Sequence, residues 1–241
     1  MMKFEEITAS RQKILQQLEK KLDLEFKNIK LLNNALTHTS YSNEKGKIFD
    51  SNERLEFLGD AVLELASSTY LFENFTGLAE GELTKIRASI VCQQTLAKLA
   101  TKLDIGQVLL LGHGEEMSGG RTRTTNLEDT FEAIIGAIYL GSGWETAKDY
   151  VIRQLAPEFE KVKSGNNPKD FKSRLQEVVQ KNSSVKIEYV ELNSTGPDHM
   201  KIFECAVKLN NKIFGKGTGK TKKAAEQMAA QNALEKIENS F

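Results

Sequence analysis

Three carboxylates open the case for chemistry. Glu53, Glu56 and Asp60 lie within the run Asn52-Glu-Arg-Leu-Glu-Phe-Leu-Gly-Asp-Ala-Val-Leu-Glu-Leu65. On a helix turning 100° per residue they fall at ~0°, ~300° and ~340°, a stripe about 60° wide. Leu58, Ala61, Val62 and Leu65 fall between about 80° and about 180°, so the acids lie off the expected buried side. Like charges at such spacings repel by some tenths of a kcal/mol each, and a stripe of this kind taken alone is a solvated helix face. A second acidic pair, Asp129 and Glu132, is followed by the apolar run Ala133-Ile-Ile-Gly-Ala-Ile-Tyr-Leu140. That helix should be central, and its carboxylates should lose part of their hydration, a cost that a counter-charge would remove. Two core-packed helices each offering acids can build an all-oxygen site suited to magnesium or manganese. Nothing in the spacing itself brings the two segments together.

The elements that must position these acids are helical. The spacing predicts helices over Ser10–Leu22, Asn52–Tyr70, Glu82–Leu103 and Leu127–Leu140. The Gly-rich, charged segment Gly112–Asn126 reads as a loop. Composition changes at Lys161-Val-Lys-Ser-Gly-Asn-Asn-Pro-Lys169, a linker. Beyond it come a short helix with Phe171, Leu175, Val178 and Val179 on one face, an alternating strand over Val185–Leu192, and a turn cluster Asn193–Asp198. A second strand follows through Phe203, Cys205, Val207 and Leu209, then a hairpin turn at Asn210-Asn211, a strand from Lys212 to Lys216, and a helix from about Thr221 to Ile237. The expected fold is an all-α domain over residues 1–163, a linker at 164–167, and a small α+β unit of order α-β-β-β-α over 168–241.

Composition sets the outer bounds. A chain of 241 residues with 39% hydrophobic and 27% charged residues and 3 Pro is neither disordered nor fibrous. Cys92 and Cys205 form no C-x-x-C pair, so neither a disulfide framework nor a zinc site is written here. No apolar run reaches the ~18 residues of a membrane span. The start, Met1-Met-Lys-Phe-Glu-Glu6, is acidic where a signal peptide is basic and then apolar, so a cytoplasmic protein is expected. Net charge is zero, but residues 168–241 hold 12 Lys and 1 Arg against 9 acids, a net +4, and the rest carries −4. An acidic body with a basic tail suits a polyanion-binding unit attached to a carboxylate site.

At Asn52-Glu-Arg-Leu-Glu-Phe-Leu-Gly-Asp60 the sequence resembles the signature of the ribonuclease III family, endonucleases that cut double-stranded RNA. The resemblance continues through Ala35-Leu-Thr-His-Thr-Ser-Tyr41, Glu80-Gly-Glu-Leu-Thr84 with Arg87-Ala88, Leu111-Gly112 with Gly114-Glu115, and Asp129-Thr-Phe-Glu-Ala-Ile-Ile-Gly-Ala-Ile-Tyr139. The tail is similar to a double-stranded-RNA-binding domain at Gly196-Pro-Asp-His199 and Gly219-Lys-Thr-Lys-Lys-Ala-Ala-Glu226. The resemblance covers nearly the whole chain. It implies that Glu56, Asp60, Asp129 and Glu132 bind the catalytic metal, with Asp60 and Glu132 directly catalytic, and that Glu53 and Glu80 are acids near the site. It implies that Phe57 plugs into the partner subunit of a homodimer. Gln176, His199, Lys220, Lys222 and Lys223 would contact RNA. His113 stands where a lysine is frequent, and Gly141 where an aspartate is frequent, which touches loop contacts and leaves the acids intact.

Phosphodiester hydrolysis needs an attacking water, neutralised phosphate charge and a stabilised leaving oxygen, and two divalent ions ~4 Å apart supply all three. The family chemistry implies magnesium, with manganese able to substitute, and 5′-phosphate and 3′-hydroxyl ends with short 3′ overhangs. Ribosomal and messenger RNA precursors are the implied substrates. In the tail, lysines at a helix start suit phosphate, since that end of a helix already favours anions. A-form RNA is read mostly through shape and 2′-hydroxyls, so little sequence specificity follows. Gly215-Lys-Gly-Thr-Gly-Lys-Thr221 falls one residue short of a nucleotide-binding P-loop, and no nucleotide cofactor is expected. His38 beside Thr39 and Ser40 lacks the Gly-x-Ser-x-Gly elbow of a serine hydrolase. Two other classes remain open. A non-cutting double-stranded-RNA binder should have lost acids, and all four are present; a purely structural helical dimer leaves the acid stripe without a purpose.

Overall fold

The computed structural model describes residues 2–163, 171–180, 185–196 and 201–238. The chain divides into two compact units, Met1–Gly165 and Asn166–Phe241. The expected linker at 164–167 lies outside the described residues.

The first unit is all helical: α1 (Ala9–Leu22), α2 (Ile29–Ala35), α3 (Thr39–Glu44), α4 (Glu53–Asn74), α5 (Glu80–Ile90), α6 (Gln93–Lys102), α7 (Ile105–Val108), α8 (His113–Met117), a 3₁₀ turn at Gly120–Thr122 and α9 (Thr124–Lys163). The Thr8 hydroxyl caps α1 by accepting from the Arg11 N–H, the usual way to satisfy a first-turn donor. Arg11 then ties α1 to its neighbours, its Nε donating to Asn33 Oδ1 at 2.8 Å and Nη1 to the Val108 carbonyl at 2.7 Å. Helices α4 and α9 form the central pair. Phe131, Tyr150 and Phe159 of α9 are fully buried, as are Leu55, Leu63 and Leu71 of α4; each such side chain contributes roughly 1.5–3 kcal/mol of apolar burial.

Three expectations change here. The single helix expected over Glu82–Leu103 is two, because Cys92 is extended and caps a new helix; the bend lets α6 pack against α9. The segment Gly112–Asn126 is no open loop. Arg121 grips Glu116 through two hydrogen bonds, and Glu115 accepts from Arg123 at 2.6 Å and from Asn126 at 2.7 Å, so side-chain pairing orders a short helix and a turn that apolar periodicity does not reveal. The helix expected to stop at Leu140 runs to Lys163, interrupted at Gly143, whose φ of +84° only glycine adopts readily.

The second unit contains α10 (Phe171–Gln180), β1 (Ile187–Thr195), β2 (Ile202–Leu209), β3 (Lys212–Gly219) and α11 (Lys222–Glu238). The strands form an antiparallel sheet in the order β1-β2-β3, so the unit is α+β in the order read from the sequence. β1 runs further than expected, into the segment read as a turn, because a bulge between Glu191 and Asn193 absorbs one residue of register. Asn210 and Asn211, at φ +48° and +67°, form the hairpin turn between β2 and β3. Cys205, Val207 and Leu209 are buried at strand period. Cβ atoms on Gly215, Gly217 or Gly219 would strike the backbone of α11 near Ala225, Ala229 and Ala233. The glycines that imitate a phosphate loop therefore let a helix lie close against β3.

Candidate active site

The crossing of α4 and α9 sets the geometry of the acids. A Cβ on Gly59 would collide with the Glu132 carbonyl, and one on Gly136 with the Leu55 carbonyl. The two backbones thus touch at glycine on both sides. Gly59 follows Glu56 by three residues and precedes Asp60, while Gly136 lies one turn beyond Glu132, so this contact faces the two acidic pairs toward each other. Glu56, Asp129 and Glu132 are half-buried; Asp60 is exposed.

Their electrostatics register the crowding. Burial, followed by repulsion from Asp60, Glu128, Glu56 and Asp129, pushes Glu132 up to about 8. Burial, followed by the charges of Asp129, Glu53, Glu128 and Asp60, pushes Glu56 up to about 7. Asp129 is also raised, by burial and then by Glu128. Every charge named in these shifts is negative. A donor set of hard, partly desolvated carboxylates with mutual repulsion is the kind that a divalent cation relieves. Among the described residues, no three acidic, histidine or cysteine side chains are arranged so as to hold an ion between them as they stand.

The remaining positions fall in three places. Glu53 is the first residue of α4, exposed, and accepts from the Ser51 hydroxyl at 2.6 Å. Glu80 is the first residue of α5, exposed, and accepts from Thr84 at 3.0 Å. Phe57 is 81% exposed on α4. Leu65, expected on the buried side, is 56% exposed, and Phe72 is 74% exposed. On the helix wheel Phe57, Ala61, Leu65 and Phe72 fall between ~40° and ~120°, beside the acid stripe, whereas the buried residues Leu55, Gly59, Val62, Leu63 and Ala66 centre near ~220°. Helix α4 therefore has three faces, acidic, apolar-exposed and buried, where the sequence suggested two.

In the second unit, Gln176, Lys222 and Lys223 line one shallow groove with Lys172, Tyr189 and Glu226. Lys220 is exposed just before α11, and the Thr221 hydroxyl caps that helix by accepting from the Ala224 N–H. The lysines are less uncompensated than their spacing suggests: Lys222 pairs with Glu191 at 2.7 Å, and Lys172 with Glu226 at 2.6 Å. His199 lies outside the described residues.

Residues 28–159 match the family model described as Ribonuclease-III-like, and residues 171–237 match the double-stranded RNA binding motif. The chain is 50% identical over 235 residues to Ribonuclease 3 of Geobacillus thermodenitrificans, covering 96% of this chain and 94% of that protein. The chain belongs to the ribonuclease III family. Ribonuclease 3 of Shouchella clausii is 48% identical over 233 residues, covering 95% of this chain and 88% of the other. The nuclease domain of ribonuclease III from Campylobacter jejuni superposes with a TM-score of 0.57 at 44% identity, covering 61% of this chain and 99% of that one. The chain is thus a ribonuclease III-type endonuclease for double-stranded RNA, an all-α nuclease domain followed by a small α+β domain.

Sequence reasoning missed Glu128 and its partner Gln93, whose Nε2 donates to Glu128 Oε2 at 2.7 Å. The available signal was the i, i+4 spacing of Glu128 and Glu132 on one helix face. It also passed over Gly59 and Gly136, although two glycines inside strongly helical segments are the mark of a close backbone approach.

Proposed function

We propose that this ribonuclease III family member hydrolyses double-stranded RNA by divalent-metal catalysis at Glu56, Asp60, Asp129 and Glu132, leaving 5′-phosphate and 3′-hydroxyl ends with short 3′ overhangs. The observation that carries this is the glycine-to-glycine contact of α4 and α9, which sets four carboxylates against one another without an opposing cation among the charges that shift them. Magnesium, or manganese in its place, would neutralise charge on the scissile phosphate and make a water acidic enough to attack. The chain's own residues supply hard oxygen donors on two rigid helices. Asp60, exposed at the edge, and Glu132, the most buried and most strongly shifted of the set, are the two acids assigned directly to catalysis. Glu53 and Glu80 are assigned as further acids near the site.

The exposed apolar stripe of Phe57, Ala61, Leu65 and Phe72 supports a homodimer formed along α4, placing one acid set in each subunit so that each cuts one strand. A stripe of large apolar side chains left in water is costly, and a second copy would cover it. In the second domain, Gln176, His199, Lys220, Lys222 and Lys223 are assigned to the duplex, holding phosphates at the start of α11 and reading shape rather than sequence. The substrates proposed are ribosomal and messenger RNA precursors in the cytoplasm. Incubation of the protein with a long RNA duplex, with and without magnesium, followed by end-group analysis, tests the whole assignment. Magnesium-dependent fragments with 5′-phosphates are expected; cutting that persists in excess chelator, or 3′-phosphate ends, would refute it.

A further inference from the structure

We propose that Glu128, clamped by Gln93, is a positioning acid: a fixed negative charge beside the four carboxylates that strengthens capture of the divalent ion without ligating it. The inference rests on the metal-dependent reading of the site. Glu128 and Glu132 are one turn apart on α9, about 40° from each other around the helix, so they share a face. Glu128 is half-buried, directly precedes Asp129, and lies on the helix whose glycine contact with α4 brings Glu56 alongside. One of its oxygens is committed elsewhere: Oε2 takes the Gln93 amide at 2.7 Å. Gln93 is the first residue of α6, which packs against α9, so the clamp hangs on a second rigid element and on the helix end that favours anions. A neutral amide orients the carboxylate and leaves its charge undiminished, whereas a lysine or arginine there would have cancelled it. The arrangement holds a fifth negative charge close to the cation without letting it swing in as another ligand.

The alternative is that the pair only bolts α6 to α9, and Glu128→Gln separates the two. That side chain still accepts from Gln93, so the interhelix bond survives and the charge alone is lost. One unit charge acting on a divalent ion across several ångströms of partly hydrated protein changes affinity by about three- to tenfold at moderate salt. Titration of the RNA-free, full-length protein with manganese, read by electron paramagnetic resonance, should show that weakening for Glu128→Gln. The magnesium concentration giving half-maximal cleavage should rise by the same factor, and kcat at saturating magnesium should return to within about twofold of the parent. Gln93→Met, which removes the donor and keeps the length, should weaken manganese binding by a smaller factor, about twofold. Unaltered manganese affinity in Glu128→Gln would overturn the proposal, and so would a kcat deficit that saturating magnesium leaves in place, because the residue would then be a ligand. Unaltered affinity in Gln93→Met would overturn the clamp. If the parent protein itself takes up no divalent ion, the metal reading fails first, a result distinguishable from any defect confined to the variants.

Discussion

At the scale of single residues the site is a set of acids held where acids are uncomfortable. Glu132 carries the largest burden, with burial and four neighbouring charges opposing its ionisation. Glu132→Gln should therefore keep duplex binding in a gel-shift assay while losing roughly 10²-fold or more in single-turnover cleavage, the scale expected when a transition-state contact is removed. Normal cutting by this variant would remove the residue from the mechanism. The same shifts set a pH dependence whose sign is fixed. A carboxyl raised on folding binds more protons in the native state than in the unfolded chain. Its stabilising contribution is complete below the ordinary value of 4.5 and is lost as pH climbs through about 7 for Glu56 and about 8 for Glu132. In chelator, the Tm should fall between about pH 5 and about pH 8, and Glu132→Gln should flatten that fall. Adding magnesium should restore the Tm most at the alkaline end, where the ionised acids bind it best. A chelated protein whose Tm rises across this range would contradict the assignment.

At the scale of elements the decisive feature is the touching pair α4 and α9. Gly59→Ala forces a methyl group onto the Glu132 carbonyl, and overpacking of this kind costs about 1–3 kcal/mol. Calorimetry should show that loss, accompanied by a drop in cleavage of at least about tenfold, since a misplacement near 1 Å at a catalytic contact carries such a penalty. A variant with unchanged activity would mean that the acids tolerate a wider crossing. The acids themselves were legible from spacing, because three of them fall on one side of a helix and two more introduce an apolar helix. Their convergence was legible only through resemblance, since no periodicity says which helix packs on which. Leu65 was misplaced because an apolar side chain was equated with a buried one; Phe57, Leu65 and Phe72 form an apolar face that this chain alone leaves in water. The segment Gly112–Asn126 escaped because its order comes from arginine–carboxylate pairing between residues five to eight apart. The strands of the second unit were legible from simple alternation, apart from the bulge that lengthens β1 and the glycine-rich end of β3, which runs to Gly219 instead of stopping at Lys216.

At the scale of the whole molecule, two separately packed units divide the work. The acidic unit holds the candidate chemistry, and residues 168–241 carry the surplus of positive charge. Deleting 168–241 should weaken duplex binding sharply at about 150 mM salt and leave measurable cleavage at low salt, because phosphate contacts release counterions and their worth falls steeply as salt rises. An equal loss at every salt concentration would contradict this division of labour.

The sheet of the second unit gives its glycines an influence beyond their size. Gly217 faces the backbone of α11 at Ala225, Met228 and Ala229, so no side chain intervenes between strand and helix at that position. The height at which that helix rides is consequently also the height at which Lys222 and Lys223 are presented. Gly217→Ala, at a buried position no polyanion can reach, should lift the helix and loosen grip on an RNA duplex by several-fold in a filter-binding assay. The affinity of the lysine-bearing end is thus governed from the buried face of the helix, by an interlocking of bare backbones.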